Sequence, residues 1–185
     1  MYIKIAKCDF FWYNNEGFQN LRRNQDRKVF CMKIKHGILF IVLLIIDQFT
    51  KWIVDTNMQL QQSMDVIPGF FRITYLHNTG AAWSMLEGKM WFFYIITIIA
   101  LGVMVYFYMK SKKGDILFQT GIVCMMAGTV GNLMDRVVFQ YVRDFLDFLI
   151  LGYDFPVFNV ADMALCFGVF LIIVDILLEE RGVKA

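Results

Sequence analysis

The 185-residue chain is 58% hydrophobic, 17% aromatic and only 18% charged, with a mean hydropathy of +0.54. An ordinary soluble domain is about 45–50% apolar and about 25% charged, so the composition excludes that class and points to a polytopic membrane protein with small loops and no separate soluble domain. The net charge of +2 carries little as a total, and no nucleic-acid partner is expected.

Residues 1–32 form a polar, basic extension that holds neither a helical nor a strand period for long. It contains a short aromatic cluster, Phe10-Phe11-Trp12-Tyr13. Met32-Lys33-Ile34-Lys35 followed by an apolar run reads as a natural start, so residues 1–31 are expected to be dispensable or to reflect an upstream start choice. Residues 33–185 are expected to form one membrane domain.

The first span is predicted from about His36 to Val54. Asp47 and Lys51 lie four apart in its last turns, on one face, and can pair. Two readings stay open for them: a snorkelling lysine with its counter-ion at the interface, or part of a site. Residues 55–89 follow as an outer segment. Pro68-Gly69 marks a turn, and Phe70–Tyr75 alternates like a short strand with Phe71, Ile73 and Tyr75 on one side. In Asn78-Thr79-Gly80-Ala81-Ala82-Trp83-Ser84, small residues allow close backbone approach, although a plain hairpin turn fits as well.

The second span, residues 90–109, has no charge before the basic loop Lys110–Asp115. The third, residues 116–134, carries Gly121, Ala127, Gly128 and Gly131, which suit close helix packing. The fourth runs from about 160 to 178, and Asp175 near its far end is expected to be a solvated helix-end residue. Thirteen of the basic residues fall in residues 1–35, the 110–115 loop and the tail after Leu178, against five elsewhere. By the positive-inside rule both termini are then cytoplasmic, and the 55–89 and 136–159 segments lie outside.

The stretch from Gly128 to Asp162 holds Asp135, Asp144, Asp147, Asp162, Asn132, Asn159, Arg136 and Arg143 between or just inside the ends of two apolar segments. Ionisable groups at the edge of hydrocarbon are costly, which marks a functional site. Asn132 and Arg136 share a helix face, as do Asn159 and Asp162. Asp144 and Asp147 are expected on a short interfacial element with both carboxylates turned toward the other polar groups. The short connection makes the third and fourth spans antiparallel neighbours, bringing Asp144 or Asp147 close to Asp162. Two carboxylates in a partly desolvated site hold one proton between them, and such a pair can activate water against a peptide carbonyl. There is no Ser/His/Asp or Cys/His set, no phosphate loop and no metal spacing. Cys8, Cys31, Cys124 and Cys166 form no disulfide framework. No metal or cofactor is expected. An aspartyl hydrolase, a proton-coupled carrier and a structural ion-pair scaffold all fit the residues at this point.

Five motifs in order, separated by four spans, resemble those of bacterial lipoprotein signal peptidase (signal peptidase II) over about residues 33–178. They are Asp47–Lys51, Asn78–Ser84, Gly131–Arg136, Val142–Phe148 and Phe158–Asp162. The resemblance implies an all-α membrane protein of four transmembrane helices with a small extracytoplasmic β-cradle, which fits the alternating 70–75 stretch. It implies an intramembrane aspartic endopeptidase that removes the signal peptide from diacylglyceryl-modified prolipoproteins, cutting before the lipidated cysteine. Its dyad would be Asp144 and Asp162, with Asp47, Lys51, Asn78, Gly80, Asn132, Asp135, Arg136, Asp147 and Asn159 binding substrate or supporting the dyad. The expected setting is the bacterial cell membrane, with the site at the extracytoplasmic face and lipidated precursors and membrane lipid as partners of a monomer. Arg143 departs from the family pattern, where an apolar residue is usual. It is expected to face water or lipid headgroups, although turned inward it would lower the pKa of its neighbour Asp144.

Overall fold

A computed structural model describes residues 32–80, 88–112 and 114–182. The chain divides into two compact units, residues 1–37 and residues 38–185. In the first, only the opening turns of a helix are described, so the polar extension and its aromatic cluster lie outside the described residues. The second unit contains every other described element.

Among the described residues, four helices are long and apolar enough to cross a bilayer: α1 Met32–Asn57, α2 Met90–Lys110, α3 Ile116–Phe139 and α4 Val160–Glu180. At about 1.5 Å rise per residue, the 21 residues of α2 or α4 span about 30 Å, the hydrocarbon thickness of a bilayer. Their outward faces carry exposed Ile45, Trp91, Ile98 and Phe170, which water would penalise and lipid does not. Half of the apolar stretch of α3 is buried, against 17% in α1 and α2 and 22% in α4. The central helix is therefore α3, which also carries Asn132, Asp135 and Arg136.

Small residues set how closely α3 and α4 pack, as their sequence suggested. A methyl group on Gly121 would stand 2.8 Å from the carbonyl oxygen of Gly168, and one on Gly168 would stand 2.5 Å from that of Gly121. A methyl on Gly128 would collide with the carbonyl oxygen of Ala161, in the first turn of α4. The backbones touch where side chains would otherwise hold them apart.

Between the helices runs a four-stranded antiparallel sheet in the order β1 Ser63–Ile67, β2 Phe71–Asn78, β3 Val142–Ile150 and β4 Tyr153–Asp154. Because β1 follows α1 and β3 follows α3, the sheet sits at the end of the bundle where α1 and α3 finish and α2 and α4 begin. Val54 of α1 packs there against Tyr75 and Phe145, with Met58, Ile73, Leu146 and Val160 around them. The 70–75 alternation is the first part of β2, which continues to Asn78 across a register shift between Ile73 and Leu76.

The connection between the third and fourth spans differs from expectation. It is not a short interfacial element but strand β3 and hairpin partner β4, with a turn through Leu151 and Gly152, both at positive φ. One edge of β3 pairs with β2. On its other edge, beyond β4, the amides of Phe145 and Leu146 both donate to the carbonyl of Phe158, at 3.0 and 2.8 Å, and the Phe158 amide donates back to Leu146 at 3.0 Å. This bridge ties the start of α4 to the strand, one residue before Asn159.

Candidate active site

Asp144 projects from the inner strand β3 and Asp162 from the first turn of α4, and both line one cavity of about 690 Å³. Asn78, Gly80, Asn132 and Arg136 line it too. Its apolar wall continues between the helices through Ile96, Ala100, Leu165 and Cys166. The cavity thus opens polar chemistry at one end of an apolar groove.

Each carboxylate accepts hydrogen bonds at both oxygens. Asp144 Oδ2 accepts from Asn78 Nδ2 at 2.8 Å, and its Oδ1 accepts from Asn159 Nδ2 at 2.6 Å. Asp162 Oδ1 accepts from Asn132 Nδ2 at 2.8 Å, and its Oδ2 accepts from the Asn159 backbone amide at 3.2 Å. That last bond is half of a capping box, since the Asn159 side-chain oxygen accepts from the Asp162 amide at 3.1 Å. Asn159 therefore has three duties: it caps α4, it donates to Asp144, and it donates to Asn132 Oδ1 at 3.1 Å. Its full burial follows from them.

None of the three amides can turn over freely, because each oxygen is held by an obligate donor. The Asn78 oxygen accepts from the Gly80 amide at 2.9 Å. The Asn159 oxygen accepts from the Asp162 amide. The Asn132 oxygen accepts from the ammonium of Lys51 at 3.0 Å.

Burial, and then the charge of Asp162, push the Asp144 carboxyl up to about 7, against the opposing pull of the Asn78 and Asn159 amides and of Lys51. This is the behaviour of two acids that cannot both ionise cheaply in one site.

Behind the pair lies a second, wholly buried layer. Lys51 is 0% exposed. Its Nζ donates to Asp47 at 2.9 Å and stands 3.5 Å from Asp135. The snorkelling reading of Asp47 and Lys51 is thereby overturned: helix packing closes over the ammonium, and two carboxylates compensate it. Asp47 also accepts the Ala161 backbone amide at 2.9 Å, so α1 supplies a cap to the start of α4. Gly131 gives Asp47 its room, since a methyl there would stand 2.6 Å from Asp47 Oδ2. Gln48 bridges the layer, donating to Asp47, to the Gly131 carbonyl and to Asp135.

Arg143 does not face water or headgroups. It is buried, with its backbone amide, Nε and Nη2 all donating to Asp135 and its Nη2 also to Gln48. Its guanidinium lies 4.5 Å over the ring of Phe139. The reason is strand geometry: consecutive side chains point to opposite faces, so Arg143 lies behind the strand when Asp144 lies in front. The inward guanidinium is spent on Asp135 rather than on Asp144.

Asp147 is not with the other acids. Three residues beyond Asp144, it points away and pairs with Arg72 through two bonds at 2.9 and 3.1 Å and with Thr74 at 2.6 Å. Arg72 also holds Asp154 at 2.9 Å, so this group braces strands β2, β3 and β4. Arg136 does reach the cavity, donating to the Gly80 carbonyl at 3.2 Å with its guanidinium 4.7 Å over Phe93. Asp175 is buried at 3% exposure and lies inside α4, which runs on to Glu180; it is not the solvated helix-end residue expected. Ala81–Ser84 of the second motif lie outside the described residues.

Sequence reasoning missed Gln48, Asp55 and Tyr75. The Tyr75 hydroxyl donates to Asp55 and lies 2.9 Å from His77 Nε2, while the His77 ring stacks on Tyr141 at 3.6 Å. A signal was present: Asp47, Lys51 and Asp55 recur every four residues on one face of α1.

Comparison with known proteins agrees with this architecture. Residues 39–178 match the family model described as signal peptidase (SPase) II. A lipoprotein signal peptidase of Listeria monocytogenes serotype 4a (strain HCC23) is 44% identical over 147 residues, which cover 80% of this chain and 96% of that protein. One from Staphylococcus haemolyticus (strain JCSC1435) is 51% identical over 145 residues, covering 78% and 92%. A solved structure, described as a bacterial membrane enzyme obtained by the in meso method at 2.3 Å resolution, superposes with a TM-score of 0.76 at 45% identity, over 81% of this chain and 92% of that one. The protein is a multi-pass membrane protease, and the chain belongs to the signal peptidase II family.

Proposed function

We propose that the protein is an aspartic endopeptidase that removes signal peptides from diacylglyceryl-modified prolipoproteins, cutting just before the lipidated cysteine, with Asp144 and Asp162 as the catalytic dyad. The observation that supports this reading is the single cavity in which a strand carboxylate and a helix carboxylate meet three immobilised asparagine amides, at the mouth of an apolar groove. The names of the relatives supply the substrate class. The chemistry is general acid–base. One carboxylate takes a proton from water as the water oxygen bonds to the scissile carbonyl carbon, and the other gives its proton to the carbonyl oxygen. As the diol collapses, the first returns its proton to the departing amide nitrogen while the C–N bond breaks, and the second recovers its own.

The supporting roles divide by position. Asn78, Asn132 and Asn159 orient the carboxylates, Arg136 and Gly80 border the bound peptide, and Asp47, Lys51 and Asp135 hold the layer behind. Asp147 acts at a distance, through the sheet. The basic-residue distribution supports cytoplasmic termini and a dyad at the extracytoplasmic face. Residues 33–185 carry the activity, acting as a monomer in contact with membrane lipid.

The test is mass analysis of a purified diacylglyceryl-modified precursor incubated with the wild type, Asp144→Asn, Asp162→Asn and a form lacking residues 1–31. Each single variant is expected to lose about 10²–10⁴-fold in rate, the scale on which loss of an acid–base partner registers, while the shortened form retains activity. Cleavage by either Asn variant removes that residue from the dyad, and an inactive but folded shortened form assigns the extension a role.

A further inference from the structure

We propose that Lys51 is a positioning residue that fixes the amide of Asn132, and through it makes Asp162 the charged member of the pair and Asp144 the member that carries the proton. This rests on the aspartic reading above and adds to it the order of charge, which two acids in one cavity leave undetermined.

Lys51 has three N–H donors and no acceptor, and it is completely buried. It donates to Asp47 at 2.9 Å and to Asn132 Oδ1 at 3.0 Å, and the Asp135 carboxylate stands 3.5 Å away as an ion-pair partner. The Asn132 oxygen must therefore face the ammonium, and its NH₂ must face Asp162. An ammonium bound to an amide oxygen draws electrons from the amide and strengthens its N–H as a donor. Lys51 thus acts on Asp162 through one neutral relay. Asp162 also sits at the start of α4 and accepts a backbone amide there, where the helix end favours negative charge. Asp144 has neither advantage: its two donors are amides with no cation behind their oxygens, one held by Gly80 and the other by the Asp162 amide. It is also the member on the inner strand, buried on the sheet side.

The other groups around the pair do not reverse this order. On α1, Asp47 is committed to Lys51, Gln48 and the Ala161 amide. On α3, Asp135 is committed to Arg143, and the Arg136 charge acts more on Asp162 than on Asp144, in the same sense as the relay. On β2 the nearest group is the neutral Asn78. Lys51 is felt directly at Asp144 too, yet the hydrogen-bonded relay leads only to Asp162. In the reaction, Asp162 is then the base toward water and Asp144 the acid toward the carbonyl oxygen.

Two measurements test this. Infrared difference spectra near pH 5 compare wild type with Asp144→Asn and Asp162→Asn in detergent. The protonated-carboxyl band of the pair is expected to vanish in Asp144→Asn and to remain in Asp162→Asn, and the reverse pattern overturns the charge order. The second measurement is the pH profile of kcat/KM on a diacylglyceryl-modified precursor for the charge-balanced double variant Lys51→Met with Asp47→Asn. Its alkaline limb is expected to move up by about one pH unit, with kcat falling on the order of tenfold, while Lys51→Arg keeps the wild-type limb. A folded double variant with an unshifted limb overturns the role of Lys51, since a purely structural lysine changes the amount of folded enzyme and not its profile. If the double variant does not fold, Asn132→Ser cuts the same relay and is held to the same outcomes. Failure of the aspartic reading looks different: the wild type would not cleave, or Asp144→Asn would.

Discussion

Asp144 carries its own prediction. Burial and the neighbouring Asp162 raise its carboxyl to about 7, so Asp144 keeps its proton below that pH and releases it above. A dyad needs one acid and one base, so kcat/KM is expected to fall as pH rises through about 7. Burial is the larger of the two causes and the Asp162 charge the smaller. Replacing Asp162 by Asn should therefore lower the Asp144 pKa without returning it to the ordinary value near 4. Titration of the Asp144 carboxyl by carbon-13 NMR or infrared spectroscopy checks this directly. An unmoved or higher value in that variant would mean that the two acids do not share a field. Arg143 shows the same logic from the other side. A cation adjacent in sequence to Asp144 makes its bonds elsewhere, because the strand turns it to Asp135.

Among the elements, the pair α3–α4 fixes how Asn132 is held against Asp162, since the two meet across it. Gly128 makes that approach possible, and its hydrogen faces backbone, which cannot move aside as a side chain can. Gly128→Ala is expected to destabilise the fold by about 1–3 kcal/mol, the usual range for overpacking a well-packed interior. It should also reduce activity more than stability alone explains, because the helices separate at the depth of the site. Gly102→Ala on α2, where an added methyl meets nothing within 4 Å, is the control and should be tolerated. Thermal unfolding in detergent alongside cleavage of a lipidated precursor measures both, and equal behaviour of the two variants would sink this account of the helix pair. The glycines were legible because small residues at helical spacing in an apolar run have few other uses. The spans and the cluster from Asn132 to Asp162 were legible because charge is so costly beside hydrocarbon. Strand β3 was not: Phe145-Leu146-Asp147-Phe148-Leu149 has no period of two to announce a strand, since both of its faces are covered. Once the strand was hidden, so was the separation of Asp144 from Asp147 and the inward turn of Arg143, because facing is set by the pairing partner and not by spacing. The buried layer around Lys51 was hidden for a similar reason: an i, i+4 ion pair reads the same on a lipid-facing surface as inside a bundle.

The whole molecule bears the cost of holding Asp144 as it does. Strands from one part of the chain and helices from another converge on a carboxyl that must be partly dehydrated to work, and folding free energy is where that cost appears. Linkage fixes its sign. The carboxyl titrates near 4 in the unfolded chain and at about 7 in the folded one. Its contribution to stability is therefore fully present below pH 4, declines as the unfolded chain alone releases the proton, and is exhausted once the folded protein has released it above about 7. Across that window one proton costs about 1.4 kcal/mol per pH unit at most. Asp144→Asn has no such proton, so its unfolding free energy in detergent should change less steeply with pH between 4 and 7 than that of the wild type, whatever the offset between the two curves. The comparison of slopes is the informative one. An Asn at this position must present its NH₂ to one of the two locked amides, Asn78 or Asn159, so the offset mixes a lost titration with a new donor–donor conflict. Parallel curves would mean that the folded protein does not hold this acid out of water. A steeper wild-type curve would place the cost of the active site in a single carboxyl, borne by a bundle in which the buried charges of Lys51, Asp47, Asp135 and Arg143 compensate one another.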